Sequence, residues 1–250
     1  MDAGSKNSAQ GNALEDANRV RGRFSGRGNA KGAAGYVDPG DVSGQYDFLS
    51  HTGEKLAISP PEGGFGKIKI GAAWNNVRVP KDGFLNKLLK VHADANVDLD
   101  LGCLYELNDG RRGAIQALGG QMGNFKEPPF IRHTGDERTG DKEGDDEAIF
   151  INGAEWSQIK RVLVYVYIYG GAMDWAQVKP QIQLYLPGSK PLVVTLSTHL
   201  KDLALCTIAQ LENVRGGIAV TNFTEYFPGH AEMDRAFGFG IEWDEGDKDA

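Results

Sequence analysis

Cysteine is nearly absent from this sequence. Only Cys103 and Cys206 occur among 250 residues, far apart and with no CxxC pair. A disulfide framework and a zinc ribbon are therefore excluded. Long apolar runs are missing too. The longest, Val162 to Tyr169, has the length of a strand and falls well short of the roughly 20 residues a membrane helix needs. The first dozen residues are polar, so no secretory signal is expected. Positive charge is also in deficit, with 27 Lys and Arg against 34 Asp and Glu and a net charge of −7. A dedicated nucleic-acid binder needs the opposite balance to neutralise phosphates. Neither a GxSxG elbow nor a Walker A loop is present, since Gly66-Lys67 runs on into Ile68. The expectation is a cytoplasmic protein without a transmembrane segment or a specific nucleic-acid partner.

What the chain does have is glycine, 34 of them, and a 40% hydrophobic fraction that can fill a core. Residues 1–45 are rich in Gly, Asn, Ser and Ala and poor in large apolar side chains. Such a segment cannot bury enough surface to offset its ordering entropy, so a disordered N-terminal tail is predicted. Within it, Arg19, Arg21, Arg23, Arg27 and Lys31 form a glycine-spaced basic stretch, read as a solvated linker. From residue 46 to 243, short β-rich runs alternate with Gly, Asp, Asn and Pro, and residues 244–250 form an acidic C-terminal tail. Strands are predicted at Lys67–Trp74, Asp98–Leu107, Ala114–Leu118, Ala148–Ile151, Arg161–Tyr169, Gln181–Leu186, Leu192–Leu196, Ala204–Leu211, Gly217–Phe223 and Phe237–Trp243. A short helix is predicted at Phe84–Val91, where Phe84, Leu85, Leu88 and Leu89 recur at helical spacing. The fold class is thus all-β: an antiparallel β-sandwich with one or two short helices.

The segment His133–Glu147, HTGDERTGDKEGDDE, gathers Asp136, Glu137, Asp141, Glu143, Asp145, Asp146 and Glu147 into one glycine-rich loop. Two like charges about 4 Å apart repel by roughly 4 kcal/mol at an effective dielectric of 20. A loop that brings carboxylates to one centre needs a cation. Calcium suits it, because calcium takes six to eight oxygens in loose geometry. No histidine pair stands at metal spacing, which disfavours zinc and copper. The loop is not an EF-hand, since Arg138 and Gly140 occupy the third and fifth positions counted from Asp136. A second acidic element, Asp98-Leu99-Asp100, sits on a predicted strand, where positions two apart share a face.

This pairing resembles the TerD family of tellurium-resistance and stress proteins, which carries a DLD strand and, some tens of residues later, a loop of the form GDxxTGxxxGDDE. Here these are Asp98-Leu99-Asp100 and Gly135 through Glu147. GKIKIGAAWNN looks like the family's first strands, with Asn75 where an aspartate is usual, and Ile168-Tyr169-Gly170 stands where the TerD branch has Ile-His-Asp. LGCLYELNDG, AIQALGG, IYGGAMDW and EYFPGHAEMDRAFGFGIEW are more similar to the TerA branch. The resemblance implies a calcium-binding β-sandwich in a cytoplasmic stress or tellurite-resistance system. It also implies partner Ter proteins, with the inner membrane surface as their meeting place, and no known enzymatic reaction.

The expected calcium ligands are Asp98, Asp100, Asp136, Asp145, Asp146 and Glu147, with backbone carbonyl oxygen near Arg138. The preferred role is a non-enzymatic interaction module. The alternative is a metal-dependent hydrolase that uses the acidic loop, with His133 as its nearest base. Both cysteines sit in apolar strand contexts and are read as inert packing groups.

Overall fold

The computed structural model describes residues 36–74, 78–80, 92–94, 98–134, 147–170, 175–196, 198–200 and 202–243. All belong to one of the two units into which the chain divides, Lys31–Ala250; the other, Met1–Ala30, lies outside the described residues. So do the basic stretch, the predicted helix Phe84–Val91 and the acidic tail.

Alternation of apolar and polar residues sets the strands. In chain order they are β1 (Asp47–Leu49), β2 (Lys55–Ile58), β3 (Lys67–Ala73), β4 (Arg78–Pro80), β5 (His92–Asp94), β6 (Asp98–Leu107), β7 (Arg112–Gln116), β8 (Gly123–Asn124), β9 (Ile131–His133) and β10 (Ala148–Asn152). There follow β11 (Ile159–Gly170), β12 (Gln181–Tyr185), β13 (Leu192–Thr195), β14 (Leu205–Val214) and β15 (Gly217–Phe227). They form a first sheet of order β1-β13-β12-β3-β10-β9-β8 and a second of order β2-β15-β14-β11-β6-β7, with β4 and β5 paired apart. Ile68 and Ile70 of β3, Ile149 and Ile151 of β10, Leu101 and Cys103 of β6, and Val162, Val164 and Val166 of β11 are buried in one shared cluster between the sheets. The sandwich expectation therefore holds, with one difference: β1 pairs with β13 in parallel, Phe48 opposite Val193. The remaining pairs within both sheets are antiparallel.

Polar side chains link the two sheets at one edge. Asn222 of β15 is buried, and its amide donates to the carbonyls of Leu49 at 3.1 Å and Thr195 at 2.9 Å.

The second sheet is also apolar on its outer face. Leu104, Leu163, Tyr165 and Leu205 pack there against Phe227, Met233 and Phe239. Two short α-helices occur among the described residues, α1 (Trp175–Val178) and α2 (His230–Phe237). The predicted strand Phe237–Trp243 is a misreading, because α2 ends there. Gly238 (φ 65°) and Gly240 (φ 69°) are left-handed, a conformation no continuing strand tolerates. The buried Asp234 carboxylate then takes the N–H groups of Gly240 at 2.8 Å and Ile241 at 2.7 Å. The last carbonyls of α2 find cationic donors. Arg161 reaches Phe237 O at 2.9 Å and Gly238 O at 3.3 Å, and Arg112 reaches Phe239 O at 3.0 Å.

Both arginines also meet the buried Glu106. Its Oε2 accepts from Arg161 at 2.6 Å, and its Oε1 accepts from Arg112 and Lys160, each at 3.0 Å. Burial opposes ionisation of this carboxyl. The hydrogen bonds from Lys160 and Arg161, the Arg161 charge and the Arg112 bond outweigh it and hold the group at about 2.

Candidate functional site

Residues of an antiparallel strand direct their backbone groups alternately to either side. On β6 the Leu107 N–H meets Arg111 O, on the β7 side, at 2.8 Å. Leu101 is in phase with Leu107 and faces that side too. There β7 has already ended, its last residue Gln116 lying opposite Gly102. Two side chains from the first sheet take over. The Leu101 N–H donates to Glu147 Oε2 at 2.6 Å, and Leu101 O lies 3.0 Å from His133 Nε2. A carbonyl only accepts, so Nε2 carries a proton. The same nitrogen is 4.0 Å from Glu147 Oε2. His133 is 1% exposed and Glu147 5%.

His133 closes β9, and Glu147 immediately precedes β10. The two strands run side by side, with Ile149 opposite His133. Thr134 N donates to Ala148 O at 2.9 Å, and Ala148 N to Thr134 Oγ1 at 3.0 Å. The acidic loop thus leaves and re-enters the sandwich at one point, with Glu147 as its inner end.

One residue before Leu101 stands Asp100, 6% exposed and opposite Tyr167 of β11. Asp98 occupies the alternate position of the same strand, opposite Gly170. Next to them Tyr165 lies across Gly102, its register partner, and donates to Gln116 Oε1 at 2.5 Å. A Cβ at position 102 would come within 2.4 Å of that ring, so glycine is required. Burial, reinforced by the Cys103 thiol and the Asp100 carboxylate, pushes the Tyr165 phenol well up.

Of the expected ligands, Asp100 lies on β6 and Glu147 accepts the N–H of the next residue, Leu101. Asp98 shares the strand. Asp136, Arg138, Asp145 and Asp146 lie outside the described residues. Buried carboxylates of this kind are paired or serve a cation, and an all-oxygen donor set suits calcium. Among the described residues no group of three or more His, Cys, Asp or Glu stands ready to hold a metal.

His133 is structural, as a lone histidine beside a loop usually is, and its partner is the Leu101 carbonyl. The signal available was its phase: Ile131 and His133 alternate with exposed Arg132, which marks the ring as inward. Both cysteines are buried, and burial pushes both thiols up, as their strand contexts led one to expect. No helix among the described residues is long and apolar enough to cross a membrane.

No family model matches the chain. Tellurium resistance protein TerA of Alcaligenes sp is 38% identical over 201 residues, which cover 80% of this chain and 58% of that protein. Stress response protein SCP2 of Bacillus subtilis (strain 168) is 34% identical over 101 residues, 40% of this chain and 49% of that protein. The chain spans about half the length of the curated relatives it matches.

Proposed function

The chain belongs to the TerD-type tellurium-resistance family, and from that premise we propose that it is a calcium-binding, non-enzymatic protein of a stress-response or tellurite-resistance system. In this reading calcium fixes the acidic loop as a surface for partner proteins, other Ter-family chains at the inner membrane surface, within the cytoplasm. One observation carries the calcium assignment. The DLD strand and the end of the GDDE loop lie 46 residues apart in sequence, yet Glu147 is hydrogen-bonded to the residue next to Asp100. Asp98, Asp100, Asp136, Asp145, Asp146, Glu147 and carbonyl oxygen near Arg138 would hold the ion. Bound calcium would neutralise the crowded carboxylates and draw the loop onto β6.

The hydrolase alternative is disfavoured by His133. A general base must reach a water or a substrate proton. This ring is buried, and its Nε2–H is committed to Leu101 O.

Calorimetric titration with calcium, paired with thermal melts, tests the reading. Binding to the folded state alone adds about 2.7 kcal/mol at a hundredfold excess over Kd. Calcium is expected to raise the melting temperature and magnesium to raise it less. Asp100→Ala or Asp145→Ala should abolish the calcium-dependent part and leave the metal-free melt nearly unchanged or slightly higher. Identical wild-type melts in excess chelator and in millimolar calcium would refute it.

A further inference from the structure

The outer face of the first sheet carries a different chemistry. Lys67, Arg132 and Phe150 project there from β3, β9 and β10, while Ile68, Ile131, Ile149 and Ile151 of the same strands point into the core. With Lys126 and the turn around Gly123 and Asn124 they line an open cavity of about 670 Å³. That is within the range of small-molecule sites, roughly 300–1,000 Å³. In a chain of net charge −7, three cations from three separate segments face this space, and no described residue lining it is acidic.

The cations are placed by their surroundings. Lys67 Nζ sits 4.7 Å from the centre of the Phe150 ring. Arg132 lies directly opposite Phe150 in the β9–β10 ladder. Lys126 follows a turn in which Asn124 Oδ1 accepts the N–H groups of Lys126 at 2.9 Å and Glu127 at 3.1 Å. Gly123 keeps this wall close, since a Cβ there would meet Ile131 O at 2.2 Å.

We propose that this cavity binds a small phosphate-bearing anion, separately from calcium. The guanidinium offers a fork that matches phosphate oxygens, and the two ammonium groups add point charges from the flanks.

The test is calorimetric titration of the full chain with inorganic triphosphate in excess chelator, which keeps calcium out of the measurement. Binding is expected, weakening as salt rises. Lys67→Gln, Lys126→Gln and Arg132→Gln should each weaken it about tenfold, and the triple variant should abolish it. Their melting temperatures should match wild type, because the three side chains are exposed. Lys55→Gln, on β2 of the other sheet, should bind as wild type does. The proposal is overturned if wild type shows no heat at millimolar triphosphate, or if the triple variant binds equally well. It is also overturned if the protein instead sediments with vesicles of phosphatidylcholine and phosphatidylglycerol through the same three residues.

Discussion

Glu147 and Leu101 are joined by a 2.6 Å hydrogen bond that crosses from one sheet to the other. The carboxylate stands in for a strand that has ended, so its removal leaves a buried N–H without its acceptor. Glu147→Ala is expected to cost about 1–3 kcal/mol in denaturant unfolding with chelator present. Glu147→Gln keeps an oxygen for the Leu101 N–H and should cost less. Equal stability of Glu147→Ala and wild type would show that the bond does not matter to the fold.

Acid should weaken the protein in two separable steps. His230 packs against Tyr165, Tyr167 and Trp243, with ring centroids 5.0–5.3 Å away, and burial lowers its pKa to about 4. The unfolded chain takes up that proton near pH 6.5. This contribution is therefore complete above about pH 6.5 and is lost as pH falls toward 4. Glu106, held at about 2, contributes fully above its unfolded value near 4.5 and loses that contribution as pH falls to 2. Each step is on the order of 3 kcal/mol. Melting curves of His230→Phe should flatten the first limb alone, and those of Glu106→Gln the second alone. A single unaltered acid limb in both variants counts against the assignment.

Cys103 and Cys206 should resist alkylation in the native state. Both are buried, and burial keeps them as thiols, the unreactive form. Iodoacetamide at neutral pH is expected to label neither until denaturant is added, after which both react. Rapid labelling of the folded protein would require an opening of the β6–β11–β14 region.

The sequence made the long strands legible and left the junctions dark. Asp98–Leu107 is bounded correctly because Leu99, Leu101, Cys103, Tyr105 and Leu107 recur at every second position. The two-residue β8 and the three-residue β1 are too short to show a period. Phe237–Trp243 mimicked a strand because Phe and Gly alternate, while the left-handed glycines and the reach of Asp234 are tertiary facts. At the site, the acidic residue types pointed to a cation. That Glu147 lies beside Asp100 depends on where β7 stops, and no spacing in the chain encodes that. The cavity of Lys67, Lys126 and Arg132 went unread because Lys67 is far in sequence from the other two and only the β3–β10–β9 pairing brings them together.

The helix that covers the second sheet is the last structured element described, and this has a consequence for truncated chains. Strand pairing is complete once β15 has formed at Phe227, so the sandwich can close before α2 exists. Without His230–Phe239, Leu104, Leu163 and Leu205 would lie bare on the outside of the second sheet. Such a continuous apolar face is an aggregation hazard. A chain truncated after Phe227 is therefore expected to expose this face and aggregate, and it also loses the Phe237 and Gly238 carbonyls that Arg161 holds.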